Sequence, residues 1–158
     1  RDRMQEPGIG LPIPCIRRPQ QRRPFGFAIR HPDRPFAALA PDVIGYVNAH
    51  GTATDQGDVA ESNATHAVFG GAVPVSTLKG YMGHTLGACG ALEAWMTLEM
   101  MREGWFAKNA NLSDPDPRCG AVDFIMGEAR QLQTDVVMSN NFAFGGINTS
   151  LIFKRWND

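Results

Sequence analysis

Three short motifs each place polar side chains directly after an apolar run, where glycines let the backbone turn. They cover residues 48–54 (Asn-Ala-His-Gly-Thr-Ala-Thr), 79–84 (Lys-Gly-Tyr-Met-Gly-His) and 140–148 (Asn-Asn-Phe-Ala-Phe-Gly-Gly-Ile-Asn). Short apolar runs that end in turn residues are typical of buried strands. A histidine at the carboxyl edge of a strand, as is expected for His50, is well placed for chemistry in an open α/β sheet.

The pattern between the motifs predicts alternating strands and helices. Strands are expected at 43–48, 73–78 and 122–126, helices at 57–69 and 86–102, and a loop at 109–118. Thr54 or Asp55 is expected to cap the first helix, and Gly104 to close the second. Residues 136–140 and 150–154 predict an antiparallel pair around a Phe-Gly-Gly turn. The expected fold class is α/β, with a mixed sheet and a core that includes Met82, Met96, Met100, Met101 and Trp95.

The first forty residues differ in composition from the rest of the chain. Residues 1–40 contain eight Arg, no Lys and seven of the eleven Pro, so they predict an Arg/Pro-rich segment without stable structure. Two alternatives stay open: a basic patch for nucleic acid or phosphate, and a segment translated out of frame from GC-rich DNA. Residues 41–158 are expected to form the ordered domain.

Composition excludes several classes of protein. Three scattered cysteines, Cys15, Cys89 and Cys119, do not suit a disulfide framework or a zinc site, which favours a cytoplasmic location. No apolar run reaches the roughly 18 residues that span a membrane. The possible metal ligands are His50, Asp55, Asp58, His66 and His84. They lack the close sequence spacing of a metal motif such as HExxH, so we expect no metal site. We also expect no nucleic-acid partner.

His50 and His84 are the candidate acid/base or donor groups. Taken alone, each is more often a structural histidine that forms a hydrogen bond. His84 precedes the predicted helix at 86–102, and Lys79 lies five residues before it. A helix N-terminus and a nearby cation both disfavour imidazolium, so a neutral ring that donates one N–H to an oxyanion is expected.

Two further features carry open alternatives. Glu93 lies among apolar neighbours on the second helix, and is either a surface residue or a buried carboxylate tied to Lys79 or a histidine. Gly145 and Gly146 follow Phe142 and Phe144, and form either a plain hairpin turn or a turn that presents a backbone N–H to a substrate oxygen.

The order of these motifs resembles the elongating β-ketoacyl-acyl carrier protein synthases with two active-site histidines. The matching pieces are His-Gly-Thr-x-Thr, Lys-x-x-x-Gly-His, Gly-Ala-x-Gly-Ala-x-Glu, Asn-Leu-x-x-Pro-Asp at 111–116, and Asn-x-Phe-x-Phe-Gly-Gly-x-Asn. The resemblance covers residues 41–154 and only the C-terminal half of that family. It implies a thiolase-like fold, in which two similar halves stack as a five-layered αβαβα architecture.

The resemblance also implies an acyltransferase reaction and a set of roles. An acyl group is transferred to a cysteine, malonyl-ACP loses CO₂, and the resulting enolate attacks the acyl thioester. The residues that match are His50 and His84 as catalytic histidines, Lys79 as their companion, Glu93 as a supporting carboxylate, Thr52 and Thr54 as ligands of the phosphopantetheine arm, Phe144 as the gate and Phe142 as a pocket wall. The implied partners are acyl carrier protein and a homo- or heterodimeric subunit.

The chain departs from the family in lacking the nucleophile motif. Cys15 has no glycine elbow around it, and Cys89 stands where a small residue is expected in the helix start. We therefore assign no nucleophile in this chain. The alternative reading is a non-catalytic subunit similar to chain-length factors, although such subunits usually lose active-site residues and both histidines persist here.

Overall fold

The computed structural model describes residues 39–155, and most of the predicted Arg/Pro-rich segment lies outside this range. The domain boundary after residue 40 therefore stays a prediction. In chain order the elements are β1 (Tyr46–Asn48), α1 (Asp55–Phe69), β2 (Pro74–Ser76), α2 (Lys79–Met82), α3 (Cys89–Glu103), β3 (Trp105–Phe106), β4 (Asp123–Phe124), β5 (Arg130–Gln131), β6 (Val136–Phe142) and β7 (Asn148–Lys154). Short 3₁₀ turns cover Pro41–Val43 and Leu86–Ala88.

Five strands form one mixed sheet in the order β4-β2-β1-β6-β7. Strand β1 runs parallel to β2 and β6, β2 runs parallel to β4, and only β7 is antiparallel, to β6. Asn48 at the end of β1 is in register with Ser76 of β2 and Ser139 of β6. The carboxyl ends of β1, β2 and β6 therefore meet at one edge, which confirms the predicted α/β class with a mixed sheet.

Alternate side chains of the strands fill two cores on opposite faces of the sheet. Tyr46 packs in one core with Met100 and Met101 of α3, whereas its neighbour Val47 packs in the other. Phe69 at the end of α1 packs against that second core. The sheet thus lies between α3 and α1, as the two-residue period of a strand buried on both faces requires.

Some boundaries differ from those that the sequence predicts. The second predicted helix divides, because Leu86 adopts a left-handed conformation (φ 52°) and α3 begins only at Cys89. Gly104 closes α3 in a left-handed conformation, as predicted. Trp95, which was expected in the core, is 60% exposed.

Other differences come from short or locally bonded segments. The predicted strand 122–126 shortens to β4, and the antiparallel β3–β5 pair was not predicted, because two-residue strands leave no readable period. Thr54 occupies the N-cap position of α1, but its side chain makes no capping bond there.

No helix within residues 39–155 is long and apolar enough to cross a membrane.

Candidate functional site

The loop after β1 is held by two acidic side chains of α1. The carboxylate of Glu61 accepts hydrogen bonds from the backbone N–H groups of His50 (2.8 Å) and Gly51 (2.9 Å). Asp58 accepts a third from the backbone N–H of Thr52 (3.1 Å). Three consecutive N–H groups therefore point at α1, and this fixes the direction in which the His50 side chain leaves the loop.

Gly51 is required at the turn for steric reasons. It adopts φ 42°, and a Cβ atom there would lie 2.7 Å from the side chain of Thr77, which follows β2. The close approach places the loops after the two parallel strands side by side. The next residue but one, Ala53, is also left-handed at φ 58°, a conformation that costs a non-glycine residue of order 1–2 kcal/mol.

The His50 ring contacts a second histidine and an aromatic ring. The ring centroids of His50 and His84 are 5.2 Å apart with an interplanar angle of 88°, and that of Phe142 lies 5.4 Å from His50. Burial, followed by the positive charge of Lys79 and the nearby His84, lowers the pKa of His50 from 6.5 to about 4, although a hydrogen bond with Asn141 acts in the opposite direction. His50 is therefore neutral at physiological pH.

A single backbone bond sets the tautomer of His84. The backbone N–H of Leu86 donates to Nδ1 of His84 at 3.1 Å, so the proton of the neutral ring resides on Nε2. The predicted helix N-terminus is not adjacent, because α3 begins five residues later at Cys89. The helix that was expected to begin beside His84 therefore does not place its N-terminus there, and the backbone N–H of Leu86 is the donor that meets the ring.

Lys79 and Glu93 form a buried ion pair. The Nζ of Lys79 lies 2.6 Å from Oε1 of Glu93, and the two side chains are 4% and 0% exposed. This confirms Glu93 as a buried carboxylate tied to Lys79 and excludes the surface alternative. The pair joins α2, which precedes His84, to α3, which follows it.

Thr52 and Thr54 present their hydroxyls together. The two Oγ1 atoms are 3.0 Å apart. Both residues line an open cleft of about 630 Å³, together with Lys79 and His84. The cleft thus brings four of the predicted site residues to one space.

The two predicted aromatic residues separate in the structure. Phe142 ends β6 and contacts His50, whereas Phe144 lies at the tip of the β6–β7 hairpin and is 98% exposed. Gly145 and Gly146 form that tip with φ of 91° and 87°. The structure therefore does not bring the Phe144 side chain to the histidines.

The two described cysteines differ in burial, and Cys119 lines the cleft described above. Cys89 is buried at the start of α3, and Cys119 is half-buried in the loop that follows residue 109. Cys15 lies outside the described residues. Within residues 39–155 no group of three or more His, Cys, Asp or Glu side chains could hold a metal ion.

Sequence reasoning missed three residues that shape the site. Glu61 and Asp58 hold the His50 loop, and Asn141 bonds the His50 ring. Since residues three apart share a helix face, the pair 58 and 61 could have been recognised as one acidic face of α1.

The chain is similar to known condensing enzymes. Residues 36–113 match the family model of the beta-ketoacyl synthase C-terminal domain. A 3-oxoacyl-(acyl-carrier-protein) synthase 2 from Coxiella burnetii is 41% identical over 122 residues, which cover 75% of this chain and 29% of the relative.

Solved structures agree with this similarity. A beta-ketoacyl synthase from Burkholderia phymatum superposes with a TM-score of 0.74 at 62% identity, over 75% of this chain and 29% of that one. A ketosynthase (ApeO) in complex with its chain length factor (ApeC) from Xenorhabdus doucetiae gives a TM-score of 0.70 at 38% identity, over 75% and 30%. The chain therefore spans 29% to 30% of the length of these relatives. It belongs to the β-ketoacyl synthase family, and residues 39–155 form a C-terminal part of the thiolase-like fold.

Proposed function

We propose that this chain supplies the histidine machinery of a β-ketoacyl-ACP synthase, which performs a decarboxylative Claisen condensation in fatty acid or polyketide synthesis. The observation that carries the proposal is the pair of imidazoles 5.2 Å apart, with His50 neutral and His84 protonated on Nε2. The family membership supports it independently.

Two neutral N–H donors suit the chemistry of malonyl-ACP. When the bond between the malonyl carboxylate and the α-carbon breaks, CO₂ leaves and the electron pair becomes an enolate. Negative charge then develops on the thioester oxygen. Donors already aimed at that oxygen stabilise the transition state more than the ground state, because they need no reorganisation as the charge appears.

The remaining residues take supporting roles in this proposal. Lys79 disfavours imidazolium at His50, and Glu93 holds Lys79 in place. The adjacent hydroxyls of Thr52 and Thr54 in the cleft suit hydrogen bonds with the amides of a phosphopantetheine arm. Phe142 forms a wall beside His50. The gating role of Phe144 is proposed from its match to the family motif alone, because its side chain is exposed at the hairpin tip.

Acyl carrier protein is the proposed partner. A structure similar at 27% identity and a TM-score of 0.71 is that of a type II PKS acyl-carrier protein in complex with its ketosynthase, and the chain covers 30% of that chain. We further propose that the working enzyme is cytoplasmic and dimeric, and that neither Cys89 nor Cys119 is its nucleophile. The contact between the two histidines does not favour a non-catalytic chain-length subunit.

Decarboxylation of malonyl-ACP tests the proposal, because this step depends on the histidine donors rather than on a nucleophile. We expect slow CO₂ release from the purified chain, and a loss of about 10²–10³-fold in His84→Ala, which removes one donor. His66→Ala is the matched control, since His66 is an exposed histidine on α1 that bonds the Ala121 carbonyl. Absence of CO₂ release, or release that His84→Ala leaves unchanged, contradicts the proposal.

A further inference from the structure

The hydroxyl pair of Thr52 and Thr54 is built on the first turn of α1. The backbone N–H of Thr52 donates to Oδ1 of Asp58 (3.1 Å), and the carbonyl of Thr54 accepts from the backbone N–H of the same residue (3.0 Å). Between the two threonines Ala53 is left-handed at φ 58°. Both threonines are thus anchored to one residue of α1, and their Oγ1 atoms lie 3.0 Å apart.

Thr54 stands at the N-cap position of α1, but its hydroxyl does not cap the helix. An N-cap threonine ordinarily accepts a hydrogen bond from the backbone N–H two or three residues further on. Within residues 39–155 Thr54 accepts no such bond, and its Oγ1 contacts that of Thr52 instead. Since one hydroxyl of the pair donates to the other, the second keeps its hydrogen for a ligand in the cleft.

Gly57, the third residue of α1, lies against this hydroxyl. A Cβ atom at residue 57 would lie 2.3 Å from Oγ1 of Thr54 and 3.8 Å from Oγ1 of Thr52. A carbon and an oxygen that are not bonded do not approach to 2.3 Å, so any side chain here would displace the Thr54 hydroxyl. The hydroxyl occupies its place because residue 57 has no side chain.

The helix itself favours another residue at this position. Gly57 is exposed, and its backbone is helical rather than left-handed. Alanine loses less conformational freedom on folding than glycine does, so it stabilises a helix at such a site. The glycine therefore costs stability, and the contact with the Thr54 hydroxyl is the feature that requires it.

We propose that Gly57 is a positioning residue of the phosphopantetheine site, because it leaves the room in which the Thr54 hydroxyl faces the cleft beside that of Thr52. The inference rests on the proposed function for the identity of the ligand. The amides of pantetheine carry a carbonyl acceptor and an N–H donor. The hydroxyl pair offers a donor and acceptors at one point of the cleft, which matches such an amide.

Gly57→Ala tests the positioning without any need for activity. We expect the χ1 rotamer of Thr54, read from NMR scalar couplings of the whole chain, to change. The midpoint of urea unfolding should stay level or rise, because alanine favours the helix. Gly90→Ala is the matched control, since Gly90 lies in the first turn of α3 and a Cβ atom there meets the Asn141 side chain at an ordinary 3.6 Å. Thr54 should keep its rotamer in this control.

A double-mutant cycle with pantetheine tests the binding role. Pantetheine is titrated into the wild type, Gly57→Ala, Thr54→Ala and the double variant, and binding is followed by NMR shifts. Each single change should weaken binding by about 2- to 12-fold, which corresponds to one neutral hydrogen bond. The double variant should bind no more weakly than Thr54→Ala, because both changes remove the same hydroxyl.

Three results overturn the inference: an unchanged Thr54 rotamer in Gly57→Ala, a lowered urea midpoint in that variant, or losses of affinity that add in the double variant. A wild type that does not bind pantetheine refutes the phosphopantetheine site, even where the rotamer changes. Pantetheine binding without CO₂ release from malonyl-ACP refutes the proposed chemistry of the histidines and leaves this inference standing.

Discussion

The loops that carry the two histidines are built in opposite ways. The His50 loop is bonded along its backbone, since three successive N–H groups reach carboxylates of α1. The His84 loop is exposed and has one such bond, from Leu86 to the ring itself. Its firm attachment lies at its two ends, where Lys79 and Glu93 pair.

This difference separates two ways to hold a catalytic side chain. Around His50 the backbone is fixed and the ring is placed by its partners, whereas around His84 the flanking helices are fixed and the loop spans them. The first arrangement resists local opening because each N–H has an acceptor. The second concentrates its stability in one buried ion pair, so a single substitution should damage it more.

Breaking the ion pair should therefore have the largest effect. Lys79→Met leaves the buried Glu93 carboxylate without its cation, and we expect the free energy of unfolding to fall by about 3–5 kcal/mol. Lys154→Met, at an exposed lysine of β7, should change it by less than about 0.5 kcal/mol. Urea unfolding of both variants measures the difference, and equal losses would show that the His84 loop has another anchor.

Removing the carboxylate that holds the His50 loop should have a somewhat smaller effect. Glu61→Ala leaves the N–H groups of His50 and Gly51 without an acceptor, at about 1–2 kcal/mol each. The expected loss is thus about 2–4 kcal/mol by urea unfolding. Glu99→Ala on α3 is the control, because Glu99 forms an exposed pair with Arg102. A loss no greater than that of the control would mean that the loop keeps its shape without Glu61.

The smallest expected effect is the pH dependence of the His50 site. Since the pKa of His50 falls from 6.5 to about 4 on folding, the unfolded chain binds the extra proton between these values. Stability from this group is complete above pH 6.5 and is lost as the pH falls toward 4. After allowance for solvent screening we expect about 1–2 kcal/mol.

A variant comparison isolates this contribution. Burial raises the pKa of Glu61. The contribution of Glu61 to the free energy of unfolding therefore changes in the opposite direction and is lost as the pH rises. The free energy of unfolding is measured from pH 7 to pH 4 for the wild type and for His50→Gln. Both proteins contain Glu61, so the difference between the two curves reports His50 alone. The wild type should lose more stability on acidification, and parallel curves would show that His50 is not buried as a neutral ring.

Much of the scaffold could be predicted from local patterns. The apolar runs predicted β1, β2 and the β6–β7 pair, and Gly104 marked the end of α3. The break at Leu86 could not be predicted, because leucine favours helices and its left-handed conformation comes from the tertiary setting. The prediction that Trp95 lies in the core was wrong for a related reason, because the helical pattern does not show which apolar face of the helix packs against the sheet.

The sequence by itself determined the order of the polar motifs and their place after strands, since both follow from short-range periodicity and turn chemistry. Only the tertiary structure decided which groups meet. The strand order β2-β1-β6 brings the His84 and Phe142 rings to His50, and α1 turns Glu61 toward a loop ten residues earlier. These contacts depend on parallel crossovers and on the rotation of helices about their axes, which no local pattern of residues encodes.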